Sequence, residues 1–215
     1  NISEAVLSVR QGSISIAAMY GGTGLKVTLP SDSIGKDDCE IDLQGLKDIL
    51  GRVKGIIEIA TNGSIVISTQ TGEITLPFIP GKLSLPNVKQ ETASVYSEDL
   101  QKNLRKVLPF SATSENKRNL YGVLVEVTDS GLRMVASDGF RLGYADTAAV
   151  VSKGEAVIIP LQFAQLLQGI IKIIPDSEVS IRADKSAVKV QGEYFELVFA
   201  RPDFEFPDYR RILPG

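Results

Sequence analysis

Histidine and tryptophan are absent from this 215-residue chain, and cysteine occurs once, as Cys39. Without histidine the chain lacks both the commonest general base near neutral pH and the commonest metal ligand. A zinc site of cysteine and histidine, or a nucleophile activated by histidine, is therefore excluded. Carboxylate-only or lysine-based chemistry remains open. One cysteine forms no internal disulfide, and Asp37, Asp38 and Glu40 around it oppose ionisation of the thiol, which suits an inert residue in a reducing cytosol. Long apolar runs are missing as well: no stretch approaches the ~18 residues of a membrane span, and no basic start leads into an apolar stretch as in a secretory signal. Nor does charge of one sign dominate. A net charge of -3 does not describe a protein that grips nucleic acid over its whole surface, so any such contact belongs to one face.

Hydrophobic residues make up 43% of the chain, an ordinary share for a globular protein and far above the disordered range. The length suits one large domain or two smaller ones, and internal repetition favours two. Val6–Val9 leads through Gly12 to Ser13–Ala18 and Gly21, while Val123–Val127 leads through Gly131 to Arg133–Ala136 and Gly139. Both read as period-2 strands joined by a short glycine turn, with Ala18 answering Ala136 and Gly21 answering Gly139. A helix follows in each copy. Residues 42–50 put Leu43, Leu46, Ile49 and Leu50 on one apolar stripe that Val53 extends; Pro160 opens a second helix whose apolar face continues to Ile170 and Ile171. Strands are then expected at Ile56–Ala60, Ser64–Thr69 and Glu73–Phe78, and again at Glu178–Arg182, Ala187–Gln191 and Tyr194–Ala200. The Asn62-Gly63 pair signals a two-residue hairpin, and each copy ends on a proline turn, at Pro86 and Pro207. The copies lie too far apart for a solenoid. They fit tandem duplicated domains, 1–91 and 92–215, joined by a polar linker near Val88–Ser94. Many strands, few helices and no strict βαβ alternation predict an α+β fold with antiparallel sheets. The second copy has an extra helix in front, capped by Ser97, with Leu100, Leu104, Val107 and Leu108 as its buried stripe.

The exposed side of that extra helix carries Lys102, Arg105 and Lys106, and the loop after it adds Lys117 and Arg118, with Glu115 as the one anion among them. Such a run is either an ordinary solvated face or a surface for phosphates, whose recognition is sequence-independent and salt-sensitive. Lys47, Arg52 and Lys54 form a smaller basic set on the first-copy helix, read as running from Gln44 to Lys54. Gln162, Gln165, Gln168 and Lys172 form a polar face on its second-copy counterpart. No basic run is interleaved with aromatics, which disfavours single-strand stacking, and zinc-finger and basic-zipper patterns are missing. Asp138 is a lone carboxylate at a strand end. With no second carboxylate, base or phosphate-binding glycine loop beside it, turn capping fits it better than catalysis.

Two stretches carry a family resemblance. Residues 120–142, LYGVLVEVTDSGLRMVASDGFRL, hold the second hairpin and end in Ser137-Asp138-Gly139-Phe140-Arg141-Leu142. Residues 206–214 read Phe206-Pro207-Asp208-Tyr209-Arg210-Arg211-Ile212-Leu213-Pro214. In this order and spacing they resemble the bacterial DNA polymerase III beta subunit family, the replicative sliding clamps. Elsewhere the resemblance rests on repeat spacing and pattern. It implies tandem duplicated clamp domains, antiparallel sheets outside and helices lining the inner face. It further implies that the chain spans most of the first domain, without its leading helix and strand, and all of the second, with the third domain absent.

By the same resemblance the protein is not an enzyme and needs no cofactor or metal. It encircles double-stranded DNA in the cytoplasm as a homo-oligomeric ring and tethers polymerase by topology. Lys117, Arg118 and Asn119 fall on the loop that approaches the duplex, and Lys47, Arg52, Lys102, Arg105 and Lys106 add to that surface. Leu120, Ser137, Gly139, Phe140, Arg141, Leu142 and Pro214 fall where the family takes short linear motifs of DNA polymerase, clamp loader and repair proteins. There Leu120, Leu142 and Pro214 give an apolar floor, Gly139 permits close backbone approach, and Arg141 offers donors to a carbonyl or carboxylate. Phe140 stands where the family often has histidine, which makes the cleft more apolar. Ile74 and Leu76 fall on the edge strand through which subunits pair. Two other readings stay open: a protein-interaction module of duplicated α+β domains that never meets DNA, and a hydrolase with two carboxylates converging near Asp138.

Overall fold

Alternation of apolar and polar residues makes the first sheet. In β1 (Ala5–Arg10) and β2 (Ser13–Tyr20) the pairing sets Leu7 opposite Ile16, so one face of the hairpin is apolar throughout. The structure is a computed structural model that describes residues 5–53, 55–70, 72–152, 155–174 and 178–213. The chain divides between Leu85 and Pro86 into two compact units.

In unit 1, β3 (Thr23–Pro30) and β4 (Asp37–Ile41) complete an antiparallel sheet of order β3-β2-β1-β4. Helix α1 (Leu43–Leu50) follows, its N-cap Asp42 accepting hydrogen bonds from the amides of Gln44 and Gly45. A second sheet, β5-β6-β7, comprises Glu58–Thr61, Ser64–Thr69 and Gly72–Pro77. Leu7, Cys39, Ile41, Leu46, Ile65 and Ile67 form the buried centre between sheets and helix. Cys39 is a free, buried thiol. Burial is the main cause that raises its pKa, and Asp37 and Asp38 add to it.

Unit 2 repeats the plan with an addition. Strand β8 (Glu91–Tyr96) runs straight into α2 (Ser97–Val107), followed by 3₁₀ turns at Leu108–Phe110 and Glu115–Leu120. Then come β9 (Gly122–Thr128), β10 (Gly131–Ser137), β11 (Leu142–Thr147), the short β12 (Val150–Val151) and β13 (Val157–Pro160). Helix α3 (Leu161–Ile173) and β14 (Glu178–Ala183), β15 (Ala187–Gln191) and β16 (Phe195–Ala200) close the unit. The order β11-β10-β9-β13 matches β3-β2-β1-β4, and β14-β15-β16 matches β5-β6-β7. Val125 opposite Met134 repeats the Leu7–Ile16 register.

The addition is β8 and α2. Leu100, Leu104 and Val107 of α2 are fully buried, each contributing roughly 1.5–3 kcal/mol of apolar burial. Unit 1 has instead an open apolar cavity of about 670 Å³, lined by Leu7, Val9, Ile14, Ile16, Leu46 and Ile59 among others.

Several expectations change. The stretch read as a linker, Val88–Ser94, contains most of β8: Thr92, Ala93 and Val95 are buried and only the polar residues between them suggested solvent. Ser97 is not the cap of α2. Tyr96, the last strand residue, holds the N-cap position without a side-chain hydrogen bond, and Ser97 is buried inside the first turn. Pro160 likewise sits at the N-cap of α3 rather than within its first turn. At Asn62-Gly63 only Gly63 has positive φ, +75°, so the hairpin lacks the paired left-handed residues of a type I′ turn. Strands β3 and β11, absent from the sequence reading, are needed to complete both sheets.

Candidate functional site

The segment after β10 builds a tight turn from its own side chains. Asp138 accepts hydrogen bonds from the amides of Phe140 and Arg141, at 2.9 and 2.8 Å, and from Nε and Nη2 of Arg141 at 3.0 and 2.9 Å. Ser137 Oγ accepts from the Gly139 amide and donates to the Arg141 carbonyl. Those bonds to Asp138, led by the Arg141 amide, then the Phe140 amide and the Arg141 side chain, hold its carboxyl down at about 2. Gly139 adopts φ +91°. A Cβ there would meet Leu120 Cδ1 only at 3.6 Å, an ordinary contact, so the backbone angle and not crowding calls for glycine. Asp138 is thus a turn cap whose oxygens are committed to the Phe140 and Arg141 amides and the Arg141 guanidinium, and among the described residues no second carboxylate is bonded to it. Among the described residues no group of three or more His, Cys, Asp or Glu is set to hold a metal.

The expected cleft residues are brought together in part. Leu120 lies beside Gly139, and Leu142 packs on a cluster of Leu124, Val135, Ile158 and Tyr209 that also receives Phe206 and Leu213. The two stretches that carried the resemblance therefore meet in one apolar cluster. Pro214 lies outside the described residues. Arg141 is less free than its exposure suggests: besides Asp138, it reaches the Pro109 carbonyl at 3.5 Å and lies 5.7 Å from the centre of the Phe110 ring. Sequence reading missed Phe110. Its one signal is Gly143, where a Cβ would come within 2.3 Å of the Phe110 ring. Beside the cluster lies a cavity of about 710 Å³ lined by Glu126, Phe204, Phe206 and Tyr209 among others, but not by the 137–142 turn.

Hydrogen bonds to the buried Glu126 pin the 206–213 segment. Glu126, in β9, accepts from the Tyr209 phenol and from Arg210 at 2.6 Å. Burial, then the bond to Glu126, pushes the Tyr209 phenol above its usual pKa, so it remains a donor at neutral pH. Next to it Arg133 forms a two-point bond to Asp146 and lies over the Tyr144 ring.

The basic residues divide sharply. Arg10, Arg133, Arg141, Arg182, Arg201, Arg210 and Arg211 are each ion-paired to a carboxylate. Arg52, Arg105 and Arg118 have no such partner among the described residues, and they are exposed at the end of α1, on α2 and in the 3₁₀ turn. Lys47, Lys102 and Lys106 share those helix faces and are exposed too, as is Asn119. Lys54 lies outside the described residues. Lys117 is exposed but donates to the Asp138 carbonyl. Ile74 and Leu76 lie on β7, at the end of the β5-β6-β7 order. Leu76 packs on the core, whereas Ile74 is 38% exposed.

Residues 94–208 match the family described as the DNA polymerase III beta subunit, central domain. The beta sliding clamp of Pseudomonas aeruginosa is 26% identical over 99% of this chain and 60% of its own length. That of Pseudomonas putida is 28% identical over 70% of this chain and 42% of its own. The chain thus spans less than two thirds of either relative. The crystal structure of a DNA polymerase III beta subunit from Thermotoga maritima superposes with a TM-score of 0.83 at 24% identity, over 100% of this chain and 60% of that one.

Proposed function

Given that this chain belongs to the DNA polymerase III beta subunit family, the replicative sliding clamps, we propose that it acts as a processivity factor. As such it is a ring-forming, non-catalytic cytoplasmic protein that encircles duplex DNA. It holds polymerase, clamp loader and repair proteins through a cleft around Leu120, Ser137, Gly139, Phe140, Arg141 and Leu142, with Ile74 and Leu76 at the subunit edge. Unit 1 is then the first clamp domain and unit 2 the second. The open cavity of unit 1 suits a packing helix, because in unit 2 the corresponding strands β10 and β11 and helix α3 are covered by α2.

One observation carries the DNA-binding part: the arginines without a carboxylate partner among the described residues, Arg52 just after α1, Arg105 on α2 and Arg118 in the 3₁₀ turn, are exposed along with Lys47, Lys102 and Lys106. An unpaired guanidinium can neutralise a phosphate and release the counterion condensed on it, whereas a paired one must first break its bond. Titrating a labelled duplex across roughly 50–200 mM salt tests this. The Arg105→Gln/Lys106→Gln variant is expected to flatten the slope of log K against log salt by about one per lost contact. A wild-type slope in that variant would favour an interaction module that never meets DNA.

A further inference from the structure

Lys117 belongs by sequence to the basic segment, yet its ammonium is turned onto the neighbouring turn. Nζ donates to the Asp138 carbonyl at 2.8 Å and lies 5.0 Å from the centre of the Phe140 ring. Phe140 is 90% exposed, so that ring has little else to rest on. The turn itself does not depend on this contact. Asp138 and Ser137 hold its backbone through bonds to residues 139–141, and Arg141 closes it from the other side. What Lys117 adds is the direction of one aromatic side chain that would otherwise sample several rotamers in water.

We propose that Lys117 is a positioning residue of the peptide cleft, holding the Phe140 ring ready to receive an apolar side chain of a partner's linear motif. This rests on the cleft reading given above. The physical basis is pre-organisation: a ring fixed before binding loses less freedom when the peptide arrives. The ammonium over the ring face adds the attraction of a cation for π electrons. Lysine suits the position because one of its three N–H groups serves the carbonyl while the charge lies over the ring. Two donors remain, so a phosphate bound by Lys117 would be anchored next to the recognition turn.

The test is a fluorescence-anisotropy titration of a labelled peptide carrying a clamp-binding linear motif against the intact protein. Lys117→Met is expected to weaken binding about two- to fivefold, the range of an exposed cation–aromatic contact. Lys117→Arg is expected to restore it, since a guanidinium also stacks on a ring. In a Phe140→Leu background, Lys117→Met should have no further effect. Lys117 and Phe140 are both exposed, so the melting midpoint should stay at the wild-type value in the Lys117 and Phe140 variants. Wild-type affinity for Lys117→Met, or the same loss with and without Phe140, overturns the assignment. Leu142→Ala separates the two levels. If it binds as tightly as wild type, the cleft reading itself fails; if it binds weakly while Lys117→Met does not, only the role of Lys117 falls.

Discussion

At Asp138 one side chain does several jobs, and acid separates them. Its carboxyl pKa is lowered to about 2 by the Arg141 and Phe140 amides and the Arg141 side chain. A folded-state value below the unfolded one, ordinarily about 3.9, means that the contribution is fully present above the unfolded value. It is lost as pH falls through about 2. The Phe140 and Arg141 amide resonances should therefore titrate with a midpoint near 2; a midpoint near 4 would show that the carboxylate is not held as described. The capping role was legible in the sequence, because an Asp before Gly at a strand end is a strong turn signal. The commitment of Arg141 was not. Whether an exposed arginine three residues on folds back onto that carboxylate or points to solvent depends on backbone angles that residue types do not reveal.

Among the elements, β9 and the 206–213 segment are locked through a carboxylate that the strand pattern assigned no task. Val123–Val127 reads correctly as a strand, but its Glu126 is buried because Tyr209 and Arg210 come down on it from distant sequence. No local pattern foretells that. Removing the phenol tests the lock: Tyr209→Phe leaves one buried donor fewer for Glu126. It should cost about 1–3 kcal/mol, read as a lower urea midpoint with unchanged slope. Helices α1 and α3 were legible from their apolar stripes, as were most strands of the second sheet in each copy. Strand β8 escaped because Glu91 and Ser94 interrupt its apolar residues, and polar punctuation of that kind looks like a linker until the buried face is known.

For the molecule as a whole, the duplication explains more than either half does alone. Sheet order and hairpin register repeat; among the described residues β8 and α2 belong to unit 2 alone, and unit 1 carries the cavity of about 670 Å³. An apolar recess of this kind should bind a hydrophobic dye. We expect anilinonaphthalene sulfonate to fluoresce with the 215-residue chain, and Leu50→Lys at the recess wall to reduce the signal markedly without lowering the melting midpoint. An undiminished signal would place the dye elsewhere. The unpaired arginines have a different consequence. A guanidinium locked to a carboxylate presents a single fixed pose, whereas a hydrated one on a helix face offers many poses of nearly equal energy. A polyanion travelling past Arg105 and Arg118 would meet a smooth energy surface with shallow wells, so friction along its axis would stay low even where attraction towards that axis is strong.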